Sequence, residues 1–234
     1  MTAAATEAQE PSLRPKFSVN AKLFALVAQF RAPSAFREAI KGVLIEPHPD
    51  GGAILVACDG YQIAVAHDPE GATNGAHIVA ITDPLLSACA HRAPGSISVR
   101  SIGRRVGVVI KFNGETKEVH IQAGAPAISG RYPDWKRIIV NDAADFAPGL
   151  SGALNVALMK RIVGVAALMK RLRLTGNKTL IGVRHWQKSG SLGLVITRFD
   201  APVNLLVGTM PMTDKGMPDE PLPAFFSAIQ QGAK

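Results

Sequence analysis

The sequence predicts an α+β fold in which helices pack on one face of antiparallel sheets. Three observations carry this. A strand, a helix and three further strands recur three times along the 234 residues. The helical segments carry apolar residues three and four apart, and the strand runs alternate or are apolar throughout. Turn dipeptides such as Gly51-Gly52, Asp59-Gly60 and Asn113-Gly114 separate the strands.

The first round opens with a strand over Lys16–Val19. Asn20 is placed to cap a helix whose buried stripe is Leu23, Leu26, Val27 and Phe30, and Pro33 ends it. Strands follow over Ile40–Glu46, Ala53–Cys58 and Tyr61–His67. The second round has a strand over His77–Ile81, then a helix with Asp83 as cap and Pro84 at its first position. Leu85, Leu86 and Cys89 form its apolar face, and Pro94-Gly95 stops it. Ser96–Ser101, Arg104–Phe112 and Thr116–Gln122 complete the round. Val106, Val108, Ile110 and Phe112 alternate as a half-buried strand requires.

The third round predicts a strand over Ala153–Val156 and a long helix with Leu158, Ile162, Val165, Met169 and Leu172 on one stripe. Its strands are Thr179–Gln187, Ser191–Arg198 and Val203–Thr209. Two rounds make one pseudo-symmetric domain, residues 16–140. The third makes a half-domain, residues 141–213, after a linker rich in Asp, Ala, Gly and Pro. Residues 1–15 read as a disordered tail and residues 214–234 as a loose extension.

Composition narrows the function classes. Hydrophobic residues make up 47% and charged residues 19%, the balance of a soluble protein. No apolar run approaches the roughly 18 residues that a membrane helix needs, so no membrane partner is expected. The N-terminal stretch lacks the basic start and apolar core of a signal peptide. With two cysteines outside any C-x-x-C pattern, the reading is a cytoplasmic protein with free, buried thiols. A formal charge of +8 suits a polyanionic partner.

Catalytic signals are lacking. His48, His67, His77, His91, His120 and His185 show no metal-ligand spacing. Ser87, Cys89 and His91 are near in sequence without forming a triad pattern, and phosphate-binding glycine motifs are missing. The expectation is a protein that is not an enzyme and uses no cofactor or metal.

Three separated segments carry a family resemblance. KGVLIEP (Lys41–Pro47), ILVACDGYQIAVAH (Ile54–His67) and GRYPDWKRII (Gly130–Ile139) resemble, in order and spacing, the middle domain of the bacterial DNA polymerase III beta sliding clamp. The ending MPM (Met210–Met212) is similar to that family's C-terminal end. The resemblance covers residues 16 to 213 of a shortened form. It implies a DNA-clamp fold of βαβββ units, helices facing DNA, and a groove for short motifs of polymerases and repair proteins. Family clamps have three domains per chain. With three units per chain, four copies of this protein would supply the twelve units of a family ring, which implies a homo-oligomer.

Carried over by motif, the groove residues are Ile40, Cys58, Gly60, Tyr61, Gln62, Ile63, Pro133, Arg137, Ile138, Met210, Pro211 and Met212. Their chemistry is coherent by itself. The isoleucines and methionines offer an adaptable apolar surface, and Tyr61 and Arg137 are residue types favoured at hot spots. Cys58 stands where many relatives have Thr, and Tyr61-Gln62 where His-Arg is common. The bland readings are a tight turn for Gly60, sheet packing for Trp135, and a plain core strand for Met210 and Met212.

Double-stranded DNA is expected on the helix face, at Lys22, Arg31, His91, Arg92, Lys160, Arg161 and Arg171. Lys160 and Arg171 share one direction on the third helix, and Arg161 lies at the edge of its apolar stripe. The competing reading is a solvated face whose last-turn cations complement the helix dipole. The implied function is a noncatalytic clamp-like accessory protein of DNA replication or repair. The alternative is a non-ring adaptor or decoy that binds the same partners without encircling DNA.

Overall fold

The structure, a computed structural model, describes residues 16–211 except 33, 35–36, 92–95, 103–104, 113–114, 124–127, 129, 140–145, 150–153 and 189–193. The expected tail, the C-terminal extension, Met212, Arg92 and the Asn113-Gly114 turn lie outside the described residues.

The first unit comprises β1 (Phe17–Asn20), α1 (Ala21–Val27), β2 (Gly42–Pro47), β3 (Ala53–Cys58) and β4 (Gln62–Asp68). A short β5 (Ala72–Thr73) leads to the second unit, β6 (His77–Ala80), α2 (Asp83–Cys89), β7 (Ser96–Ile102), β8 (Arg105–Phe112) and β9 (Glu115–Ala123). A single turn, α3 (Lys136–Ile139), precedes the third unit. That unit comprises β10 (Phe146–Pro148), α4 (Val156–Arg171), β11 (Val183–Lys188), β12 (Val195–Phe199) and β13 (Leu205–Thr209).

The first two units exchange strands. β1 pairs with β7 of the second unit, and β6 pairs with β2 of the first, both antiparallel. The result is a five-stranded sheet, β5-β1-β7-β8-β9, beside an eight-stranded one, β10-β11-β12-β13-β4-β3-β2-β6. The third unit is continuous with the first. β13 lies antiparallel on β4, with Leu205 opposite Ala66 and Thr209 opposite Gln62. β13 thus joins the third unit to the edge of β4, and β10 covers part of β11 on the other side.

Strand parity sets which side chains meet the helices. Val43, Ile45, Ala53, Leu55, Ala57, Ala64, Ala66 and Val79 face inward and share one core with α1, α2 and α4. Leu44, Ile54, Val56, Cys58, Ile63 and Ile78 face outward and pack under Tyr132 and Trp135. All six residues of β3 are buried because both faces are covered, so its sequence runs apolar without alternation. Trp135 packs on the sheet, as its bland reading held.

The helix signals translate well. Asn20 Oδ1 accepts the amides of Lys22 and Leu23 at 3.0 and 3.2 Å. In α4, Ile162, Val165 and Met169 are buried on the expected stripe. Four local expectations are corrected. Thr82, not Asp83, caps α2, its hydroxyl accepting the Leu85 amide at 3.3 Å; this places Asp83 in the first turn, where a carboxylate complements the helix dipole. Val156 opens α4 instead of ending a strand, because Asn155 caps the helix. Ile40 lies in a 3-10 turn, Glu38–Lys41, and β2 begins only at Gly42. Thr179–Gly182 are outside β11.

Candidate functional site

The expected groove residues gather around the β3–β4 turn and the β4–β13 seam. Asp59 shapes the turn. Its Oδ1 accepts the amides of Tyr61 and Gln62 at 2.8 and 2.7 Å, an arrangement by which Asp commonly stabilises tight turns. Gly60 takes a φ of +94° there, a conformation that suits glycine.

Strand parity then divides the neighbours. Gln62 points to the helix side and is 2% exposed. Its Nε2 donates to the Leu158 carbonyl and Thr209 Oγ1, both at 3.1 Å, and its Oε1 accepts from Arg161 at 3.2 Å. This corrects the expectation that the Gln62 side chain lines the groove: its polar atoms are already used inside the protein. Tyr61 stands on the outer side, 66% exposed, beside Met210, 54% exposed. The Met210 amide donates to the Tyr61 carbonyl at 2.9 Å and fixes the two as neighbours. Pro211 is half-buried.

Below Tyr61, Ile63 and Cys58 are buried in the outer cluster, with Ile40 and Ile139 packed against it. Tyr132 closes this cluster, its hydroxyl 3.5 Å from both the Val56 carbonyl and the Cys58 sulfur, which share its one proton. Burial pushes the Cys58 thiol up, and it pushes the Tyr132 hydroxyl up too. Neither group is set up as a nucleophile or a proton donor near neutral pH. Lys136 braces the covering segment, with its ammonium 3.0 Å from Glu46 Oε1 and 5.5 Å from the Trp135 ring. Ile138 is left 43% exposed. Pro133 and Arg137 line an adjoining cleft with Arg37, Arg131, Tyr132 and Asp134. Tyr132, Arg37 and Arg131 were missed in the sequence, since no periodicity or spacing marks them.

The cationic candidates fall into two groups. Lys160 and Arg171 are exposed on α4 and enter no ion pair among the described residues. Others also bond within the protein. Lys22 Nζ donates to the Leu172 carbonyl at 3.3 Å, at the end of α4, and Arg31 donates to the Ala28 carbonyl at 3.1 Å. Arg161 pairs with Asp59 and lies 5.9 Å from the centre of the Phe30 ring. The expectation that Arg161 reaches outward to phosphates is corrected: a carboxylate within the protein holds it. His91 is exposed. Among the described residues, no three His, Cys, Asp or Glu side chains gather where a metal ion could sit, and no helix is long and apolar enough to cross a membrane.

The strand exchange between units and the single layer of helices over two antiparallel sheets match solved structures over most of the chain. The Pseudomonas aeruginosa DNA polymerase sliding clamp, solved with a ligand, superposes with a TM-score of 0.56, covering 90% of this chain and 69% of that one. This is the sliding-clamp fold. The identity to that clamp is 16%. The Helicobacter pylori beta clamp bound to a DNA ligase peptide gives a TM-score of 0.56 at 12% identity, covering 88% of this chain and 68% of that one. DNA polymerase III subunit beta from Borrelia burgdorferi, in complex with a natural product, gives 0.54 at 10%, covering 88% and 67%. No protein-family model matches the sequence, and no curated protein matches it. The clamp fold is thus carried by a chain that spans about two thirds of each of those clamps.

Proposed function

We propose that this protein is a noncatalytic, clamp-like accessory factor of DNA replication or repair that docks short apolar motifs of partner proteins on its outer seam. The observation that carries this reading is the Tyr61–Met210 pair. Two large apolar side chains stand exposed where two clamp units join, held by a backbone hydrogen bond. Exposed aromatic and Met side chains at a rigid seam supply the anchoring surface that a short peptide needs. The clamp fold supports the reading, since a clamp with this fold binds a DNA ligase peptide.

The test is fluorescence anisotropy with that DNA ligase peptide. Tyr61→Ala and Met210→Ala should each weaken binding about tenfold, as expected for hot-spot residues. Unchanged affinity in both variants rejects the groove.

DNA is the second proposed partner, through Lys160 and Arg171. Salt-sensitive binding that both alanine substitutions weaken supports it, each removed phosphate contact lowering the salt slope by about 1. A second reading, an adaptor that does not encircle DNA, is favoured by the Arg161–Asp59 ion pair, which leaves one cation fewer for phosphate. Mass in solution with and without circular DNA separates the two. A monomer at every concentration excludes the ring of copies.

A further inference from the structure

The outer face of the β4–β13 seam is apolar along β13 and cationic beside it. Leu206, 36% exposed, shares the outer face of β13 with Met210, so with Tyr61 three large apolar side chains stand open there. Arg198 lies opposite Leu206, and Arg184 lies opposite Arg198. Both arginines are exposed, and neither guanidinium enters an ion pair or a hydrogen bond among the described residues. Like charges opposite each other across an antiparallel pair are destabilising unless an anion answers them. Asp200, whose carboxylate feels both, is already paired with Lys178.

The chain leaves its described residues at this seam. Pro211 follows Met210, and residues 212–234 come after it. Within them, Asp219-Glu220 precede Leu222, and Phe225-Phe226 follow it. Carboxylates complement Arg184 and Arg198, and large apolar side chains complement Tyr61, Leu206 and Met210. Reach is sufficient, since the stretch from Pro211 to Leu222 spans up to about 36–40 Å when extended and starts at the site. Pro221 and Pro223 restrict the backbone on either side of Leu222, which lowers the entropy lost on docking.

We infer that the segment from Asp219 to Phe226 docks on this chain's own seam. Leu222 and the two phenylalanines lie against Tyr61, Leu206 and Met210, and the carboxylates lie toward Arg184 and Arg198. The inference rests on the proposed groove and adds its regulation: a partner peptide binds by displacing the chain's own segment. A ligand joined to its site by a short linker meets it at an effective concentration of about 1 mM. With an intrinsic Kd of about 100 μM, such a segment weakens a competing peptide about tenfold. Weak partners are thereby excluded and tight ones admitted.

The experiment uses the full chain and full-chain L222A/F225A/F226A, with the labelled DNA ligase peptide as the probe in fluorescence anisotropy. The variant should bind the probe about tenfold more tightly than the wild type at every protein concentration. A gap that closes on dilution overturns docking within one chain and assigns the segment to a second copy. Equal affinities overturn the inference while the groove stands. If the probe binds neither protein, the groove fails and the inference falls with it. A second measurement reads the segment directly. A labelled peptide of residues 216–234 should bind the variant chain and be displaced by unlabelled ligase peptide. It should lose about tenfold in affinity when Tyr61→Ala is added. A peptide that does not bind, or that binds regardless of Tyr61, overturns the inference.

Discussion

Arg161 and Asp59 form an ion pair that joins α4 to the β3–β4 turn across 102 residues of sequence. The same guanidinium donates to Gln62 at 3.2 Å, and the other oxygen of Asp59 holds the amides of Tyr61 and Gln62. One carboxylate thus ties the helix layer to the turn that presents Tyr61.

Arg161→Ala should cost about 1–3 kcal/mol. That lies between an exposed pair and a fully buried one, because the Arg side chain is 32% exposed and the Asp 11%. Arg161→Lys should recover less than half, since the shorter lysine side chain must carry its nitrogen to the place where Nη1 alone meets both Asp59 and Gln62. Denaturant midpoints of the three proteins check this. A loss for Arg161→Ala within error of zero removes the pair from the account.

Two glycines at the seam should respond differently to alanine. At Gly60 an added Cβ meets nothing within 4 Å, so the cost is the strained φ of +94° alone, about 1 kcal/mol. At Gly208 the added Cβ would lie 2.9 Å from both Ile63 Cγ2 and Leu194 Cδ2. Overpacking of that kind costs about 1–3 kcal/mol. Gly208→Ala should therefore destabilise more in thermal unfolding and weaken peptide binding as well, because Gly208 sits opposite Ile63 in the β4–β13 register.

Arg173→Gly should stabilise the protein. α4 ends with the Leu174 amide donating to the Met169 carbonyl at 3.0 Å and the Arg173 amide to Lys170 at 3.1 Å. This is the helix stop that favours glycine in the left-handed position, yet Arg173 occupies it with φ 58°. Glycine avoids about 1–2 kcal/mol of left-handed strain against a backbone-entropy cost of about 0.5–1 kcal/mol, and the net gain of roughly 0.5–1 kcal/mol raises the thermal midpoint by about 1–4 °C in a chain of this size. Arg173→Ala, which keeps the Cβ, should show no gain.

Cys89 should be inert in the native state and impose a pH dependence at high pH. Burial pushes its thiol from 9.0 up to about 12. A thiol reagent at about pH 8 should react only after unfolding, since the thiolate fraction in the folded state is about 1 in 10,000. The folded state holds the proton more tightly than the unfolded chain does. Its contribution to stability is complete below about pH 9 and is lost as pH rises toward 12. Equilibrium unfolding of the wild type and Cys89→Ala across that range should show the flatter profile in the variant.

Much of the fold was legible locally. Asn20 and the stripe of α4 behave as their spacing indicates, and β3 spans the residues assigned to it, Ala53–Cys58. The cap of α2 was misplaced by one residue because Thr82 and Asp83 are both good caps and the choice depends on the backbone turn. At the seam, Tyr61 and Met210 were legible only by motif, and their adjacency depends on which strands pair.

The sequence by itself determined the type and order of most elements, β5, α3 and β10 excepted, because helix and strand periods, caps and turn residues act over a few neighbours. The tertiary structure decided three things: that β13 joins β4, that Gln62 turns inward while Tyr61 stays outside, and that Arg161 spends its charge on Asp59. Each depends on contacts between residues about 100 or more apart, or on strand parity after pairing, and no local signal encodes either.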